Sequence, residues 1–298
     1  MGKKTYLKTC LDYESQISLL KSRGLKFTNE DKVRHLIRNI GYYRFSGYWY
    51  PFLVDKQNHI FKSDANFETV FDLYKFDREL RKLILSELEK IEISVRSKMA
   101  YILSIAHDPF WMEDPTLFTN PNVYRATIDK IKDEFDRSDE EFIIAFKSNY
   151  LNPLPPSFIL LEITSFGTLS RLYDNLKPGK SRKDIANMFG LSDKVFASWL
   201  HSFVYIRNVC AHHARIWNRW LRVQPLFPKN AANTWIIDKQ VKNNRLYYAL
   251  SMIIYLLNVV NPKHTCKQKL ENLFRKYPNV DRVAMGFPVN WQNEPLWN

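Results

Sequence analysis

Apolar residues recur at helical spacing along nearly the whole chain, and the elements they predict are helices. Asp12 can cap a helix through Ile17, Leu19 and Leu20 that stops at Gly24. Thr28 and Asp31 resemble a capping box for a second helix, with Val33, Leu36, Ile37 and Ile40 on one face and Gly41 at its end. Residues 59–66 are polar, a connection with room for a short hairpin. From residue 67 to about 107 the period is sustained by Val70, Leu73, Leu80, Leu83, Ile84, Leu88, Ile91, Val95, Met99 and Ile102. That exceeds most globular helices, so a kink or break is expected near residues 77–81. Asp108 and Pro109 end the run, and a connector rich in Pro and Asn leads to residue 122.

Shorter patterns follow at 124–135 and 140–150, then a break at Pro153, Pro155 and Pro156. Ser157 can cap a helix carrying Phe158, Leu160, Leu161 and Ile163. Residues 168–176 and 184–189 read as helical, with a basic loop at 177–183 between them. Ser192 starts a helix with Val195, Trp199, Phe203 and Ile206 along one stripe, reaching to about residue 214. Residues 243–259 and 266–276 complete the helical set, and the tail after Pro278, rich in Trp, Pro and Asn, reads as packed coil. The fold class is all-α with at most a minor hairpin. Residues 1–66 read as an N-terminal helical and aromatic region, and 67–298 as the main helical domain.

One segment departs from the simple pattern. Of the eleven residues 42–52, seven are aromatic: Tyr42, Tyr43, Phe45, Tyr48, Trp49, Tyr50 and Phe52. Such a run is either a packing hub joining the first helices to the rest, or a platform on which unpaired bases stack at Tyr42 and Tyr43, with Arg44 on phosphate.

Composition narrows the functional classes. At 298 residues, 45% hydrophobic and 15% aromatic, the chain is far from the disordered regime. No run of 18 apolar residues occurs; residues 246–260 come nearest, interrupted by Ser251 and Asn258, so no membrane association is expected. The opening Met1-Gly2-Lys3-Lys4-Thr5-Tyr6 is basic without an apolar core and does not read as a secretory signal, so a cytoplasmic protein is expected. Cys10, Cys210 and Cys266 are far apart and odd in number, which disfavours a disulfide framework or a zinc cluster and leaves buried thiols as the expectation. The formal charge of +13 favours a polyanionic partner, of which nucleic acid is the commonest.

The charge is unevenly spread. Residues 194–237 hold Lys194, Arg207, Arg215, Arg219, Arg222 and Lys229 without a single Asp or Glu, although the chain averages about one acid in ten. His201, His212 and His213 lie in the same stretch. Histidine exchanges protons near neutrality, and arginine holds phosphate bidentately and stabilises its transition-state charge. RNA cleavage needs little else, because the 2′-OH is its own nucleophile; products with a 2′,3′-cyclic phosphate and a 5′-OH are expected, without metal or cofactor. The candidates are Arg207, Asn208, His212 and His213. Adjacent histidines also commonly serve in packing or capping, and a metal site here would lack a carboxylate or cysteine pair to complete it.

On an ideal helix Asn208 and His212 stack one turn apart, but Arg207 and His212 point about 140° from each other. One helix presents them poorly to one phosphate, and two copies about a symmetry axis would pool two sets, so a homodimer is expected. Glu92 and Arg96 are spaced i, i+4 on the long helix and read as a surface ion pair, with a place facing the site as the alternative.

Residues 207–219, RNVCAHHARIWNR, resemble the signature of the Abi-like abortive infection family (the AbiD/AbiF group) of bacterial phage-defence proteins. Agreeing stretches are GYYRFSGYWYPF at 41–52, LYKFDRELR at 73–81, IEISVR at 91–96, PFWM at 109–112 and FGTLSRLY at 166–173. The resemblance runs from about residue 10 to residue 225. It implies a HEPN-type helical bundle over 67–298, with an N-terminal helical extension and additional C-terminal helices. It implies an Arg, a polar residue and a His as the ribonuclease motif, filled here by Arg207, Asn208 and His212, with His213 also at a fitting spacing. It further implies a toxin restrained by a small structured RNA. The cations Lys177, Lys180, Arg182 and Lys183, and Arg215, Arg219 and Arg222, could hold such a guard RNA by backbone and shape.

Overall fold

The computed structural model describes Thr5 and residues 9–298; the rest of the basic opening stretch lies outside the described residues. Among them are twelve α-helices and one two-stranded antiparallel hairpin, so the chain is all-α. The helices separate into two compact units. Unit 1 runs through Leu80 and includes Asn272–Val280; unit 2 comprises Arg81–Glu271 and Asp281–Asn298.

Unit 1 opens with helices α1 (Tyr13–Ser22), α2 (Glu30–Ile40) and α3 (Tyr42–Trp49), then strands β1 (Leu53–Asp55) and β2 (Ile60–Phe61). Asp12 caps α1 as expected, accepting from the Ser15 backbone N–H at 2.7 Å. The cap of α2 is Asn29, which accepts from Lys32 N–H at 2.9 Å. Thr28 instead sends its hydroxyl to Glu68 at 2.7 Å, so the expected capping box does not form. The aromatic run is a helix with its heavy side inward. Phe45, Tyr48 and Trp49 are buried, and Phe45 meets Phe67 and Tyr74 at centroid distances of 5.1 and 5.5 Å. This is the packing-hub arrangement.

Helix α4 (Phe67–Ala106) is 40 residues long and unbroken, through residues 77–81 as well. The expected break fails there because Asp77 is buried and accepts a hydrogen bond from Tyr48 at 2.7 Å, so the polar side chain is satisfied without interrupting the helix. Residues 67–80 of α4 fall in unit 1. Phe274 and Tyr277 close this unit against Phe76.

In unit 2, α4 is followed by α5 (Pro121–Arg137), α6 (Glu141–Asn149), α7 (Ser157–Ile163), α8 (Phe166–Asn175), α9 (Lys180–Asn187), α10 (Asp193–Ala211), α11 (Leu246–Val260) and α12 (Cys266–Lys276), whose last residues fall in unit 1. Pro156, not Ser157, precedes the first turn of α7; Ser157 N–H donates to Pro109 at 2.7 Å and its hydroxyl pairs with Ser104. Helix α9 begins at Lys180, inside what read as a loop. Helix α10 packs against α8, α9 and α11. Every residue of α11 from Leu246 to Leu257 is buried, the expected state of a helix that is apolar all round.

Residues 221–245 form an irregular segment that is pinned to this core. Trp199 Nε1 and the Tyr248 hydroxyl both donate to the Leu226 carbonyl at 2.9 Å, and Asn243 donates to Pro225 at 2.8 Å. The Trp-rich tail packs as coil, with Trp297 stacked on Tyr247 and its N–H donating to buried Ser251 at 3.1 Å. No helix among the described residues is long and apolar enough to cross a membrane.

Candidate active site

The stripe Val195, Trp199, Phe203 and Ile206 anchors α10 in the core of unit 2, and this fixes which residues face outward. Arg207 is half-buried and Asn208 exposed on the last turn. Arg207 Nη1 donates to Asn208 Oδ1 at 3.3 Å, a neighbour-to-neighbour bond.

The helix ends at His212. Its backbone N–H still donates to the Asn208 carbonyl at 2.9 Å, so its place one turn beyond Asn208 holds. His213 adopts φ 56°, in the left-handed region, and Ala214 N–H returns to the Val209 carbonyl at 3.0 Å. Wheel angles therefore stop applying at His213, whose direction is set by the turn. Both histidines are exposed. Arg207, Asn208, His212 and His213 thus share one exposed helix end. His201 does not join them: eleven residues up the same helix place it roughly 16 Å away.

A carboxylate comes to the site from elsewhere in the chain. Glu92 on α4 lies within electrostatic reach of Arg207. Arg96 Nη2 donates to Glu92 Oε1 at 3.1 Å and to the Thr164 carbonyl at 3.1 Å. The expected i, i+4 pair exists, but it is not on the surface: the side chains are 16% and 11% exposed. Burial pushes the Glu92 carboxyl above its ordinary range, against the pull of Arg96 and Arg207. Sequence spacing revealed the pair; the approach of Glu92 to Arg207, 115 residues away in sequence, left no local signal.

The other candidate cations are not all alike. Arg182 is spent inside the fold. It donates to the carbonyls of Asp174 and Leu176 at 2.7 and 2.6 Å, lies over the Tyr173 ring, and pairs with Asp193 at 3.5 Å. Lys177, Lys180 and Lys183 are exposed. Arg182 ties this patch to Asp193, which opens α10 at the end opposite the histidines, roughly 28 Å along the axis from His212. Arg219 braces the chain after α10, with Nε donating to the Tyr205 hydroxyl and Nη1 to the Arg215 carbonyl, both at 3.1 Å. Arg215 is half-buried beside it and Arg222 is exposed. A helix C-terminus alone carries partial negative charge and disfavours phosphate, and Arg207 on the last turn opposes that.

In unit 1, Tyr42 is half-buried, receiving a hydrogen bond from Arg23 at 3.2 Å and meeting Trp49 edge-on, while Tyr43 is 90% exposed and Arg44 is exposed. Of the cysteines, Cys210 and Cys266 are buried, but Cys10 is exposed, contrary to expectation. No cluster of three His, Cys, Asp or Glu able to hold a metal ion occurs among the described residues.

The family model for Abi-like protein matches residues 35–218, from within α2 to just past the histidines. The match covers more than half of the chain, and the protein belongs to the Abi-like family. Membership points to a role in abortive infection, a defence against phage. Among curated proteins and solved structures, none matches the chain.

Proposed function

We propose that the protein is a metal-independent endoribonuclease effector of the HEPN type, acting in abortive infection. The observation that supports this most is the gathering of Arg207, Asn208, His212 and His213 on one exposed helix end with no carboxylate in residues 194–237. In the reaction, the substrate 2′-oxygen bonds to phosphorus and the bond to the 5′-oxygen breaks. A histidine takes the 2′-OH proton, and a proton is delivered to the leaving 5′-oxygen. His212 and His213 are the candidates for these transfers. Arg207 stabilises the charge of the phosphorane, and Asn208 holds Arg207. The ends left are a 2′,3′-cyclic phosphate and a 5′-OH.

One α10 helix offers Arg207 and His212 in divergent directions, which favours a homodimer in which two helix ends line a single cleft. The family resemblance supports restraint by a bound structured RNA, with Lys177, Lys180 and Lys183, and Arg222, as exposed contacts. Purified protein, Arg207→Ala and His212→Ala are incubated with single-stranded RNA in the presence of a chelator, and product ends are mapped. Cleavage by the unaltered protein and its loss in both variants, with the helical circular dichroism retained, is the expected result. Retained cleavage in both variants overturns the assignment. Tight, salt-sensitive RNA binding without cleavage under any condition would make the site a phosphate clamp instead.

A further inference from the structure

A second site is built in unit 2 by residues with no part in the reaction above. Arg245 is the residue preceding α11 and is 6% exposed. No ion pair with a carboxylate is made by Arg245 among the described residues, and burial lowers its affinity for its proton. Its Nη2 donates to Asn218 Oδ1 at 2.9 Å and to the Ala284 carbonyl, while Nη1 is buried without a hydrogen-bond partner. Burying a guanidinium this way is costly unless something else compensates it.

Part of the compensation is Trp220, whose ring centroid lies 4.5 Å from the guanidinium carbon. Lys242 approaches the same ring at 5.5 Å. Trp220 is nevertheless 59% exposed, an unusual state for so large an aromatic surface. These three residues, with Gln240, line a cavity of about 430 Å³, within the range of small-ligand sites. Asp238 also lines it, its Oδ1 accepting from the Gln240 backbone N–H at 2.8 Å, so one carboxylate stands among two cations. The wall is completed at Gly286, where φ is +87° and a Cβ would stand 2.5 Å from that of Arg245. Helix α11 starts at this wall with no side-chain cap and no acidic residue in its first turn, so its positive end is uncompensated as well.

An exposed aromatic plate, an exposed ammonium and a buried guanidinium without a carboxylate partner match the two halves of a nucleotide. We propose that the cavity walled by Trp220, Lys242 and Arg245 binds a nucleotide, with its base against the indole and its phosphate at the Lys242 and Arg245 end. The nucleotide is either a free mononucleotide or one unit of an RNA strand.

The test is calorimetric titration of the full chain with the four nucleoside 5′-monophosphates, the matching nucleosides, inorganic phosphate, and a short single-stranded RNA. All titrations are repeated in an Arg207→Ala background, which separates this site from the proposed active site. Saturable binding of a monophosphate, tighter than nucleoside or phosphate alone, is expected. Lys242→Glu should weaken it by at least about tenfold. Trp220→Ala should weaken monophosphate and nucleoside alike. If only the RNA responds to these substitutions, the site holds a strand; if the monophosphates do, it holds a free nucleotide. Trp220→Ala could disturb the seat of Arg245, so exposed Lys242 is the deciding position. Binding of neither monophosphate nor RNA, or binding unchanged by Lys242→Glu, overturns the proposal.

Discussion

Arg96 reaches one turn back along α4 to hold Glu92, Nη2 to Oε1 at 3.1 Å, and the carboxylate so held lies within reach of Arg207. Burial raises the Glu92 pKa above its ordinary value near 4.5. The folded protein therefore binds this proton more tightly than the unfolded chain. The resulting stabilisation is complete below 4.5 and is lost as pH rises through the raised value. The melting temperature of the unaltered protein, relative to Glu92→Gln, should fall across that window. A difference flat with pH would contradict the assignment. Arg96→Ala should cost about 1–3 kcal/mol, since it leaves Glu92 with one partner fewer.

The Arg207 side chain makes one hydrogen bond among the described residues, to Asn208. Asn208→Ala should leave the arginine charged but unheld. Single-turnover RNA cleavage should fall by about tenfold, less than the roughly hundredfold or greater loss expected for Arg207→Ala. Equal losses in the two variants would show that Asn208 does more than orient its neighbour.

Tyr48 and Tyr43 sit five residues apart in one aromatic run but have different roles. Tyr48 is buried and donates to buried Asp77 at 2.7 Å. Tyr48→Phe should cost about 1–2 kcal/mol in urea unfolding. Tyr43, 90% exposed, should tolerate alanine within about 0.5 kcal/mol. A drop in RNA affinity for Tyr43→Ala, with stability unchanged, would support base stacking at that residue.

Gly286 cannot accept a side chain. Its φ of +87° strains any other residue, and an added Cβ meets Arg245 at 2.5 Å. Gly286→Ala should destabilise the protein by about 2–4 kcal/mol. A variant as stable as the parent would show that the Arg245 wall yields easily.

Thiol labelling of the native protein should modify Cys10 alone. Cys210 and Cys266 are buried, and burial pushes the Cys266 thiol up to about 12, so little thiolate is present near neutrality. All three cysteines should react after unfolding. Prompt labelling of Cys266 in the native state would mean that α12 opens readily.

Local pattern was enough for much of the architecture. Helical spacing marked α10 and α12, and the apolar helix expected over 243–259 is α11 at Leu246–Val260, because amphipathic period and composition are properties of neighbouring residues. The sequence also brought Arg207, Asn208, His212 and His213 together, since one helix turn and its cap carry all four. Where a polar side chain had more than one possible partner, local pattern did not decide between them. Asn29 rather than Thr28 caps α2, because Glu68, forty residues away, takes the Thr28 hydroxyl. Helix α4 survives at 77–81 because Tyr48 supplies a donor to Asp77.

Only the tertiary structure decided what depends on distant partners. It turned Arg182 inward onto Tyr173 and Asp193 and left Lys177, Lys180 and Lys183 outside, though all four are cations within seven residues. It brought Glu92 toward Arg207, and set Arg245 beneath Trp220 with a glycine that fits. Charge and aromaticity are written in composition, but whether a given group is buried, paired or free follows from contacts between segments far apart in the chain, which no local period encodes.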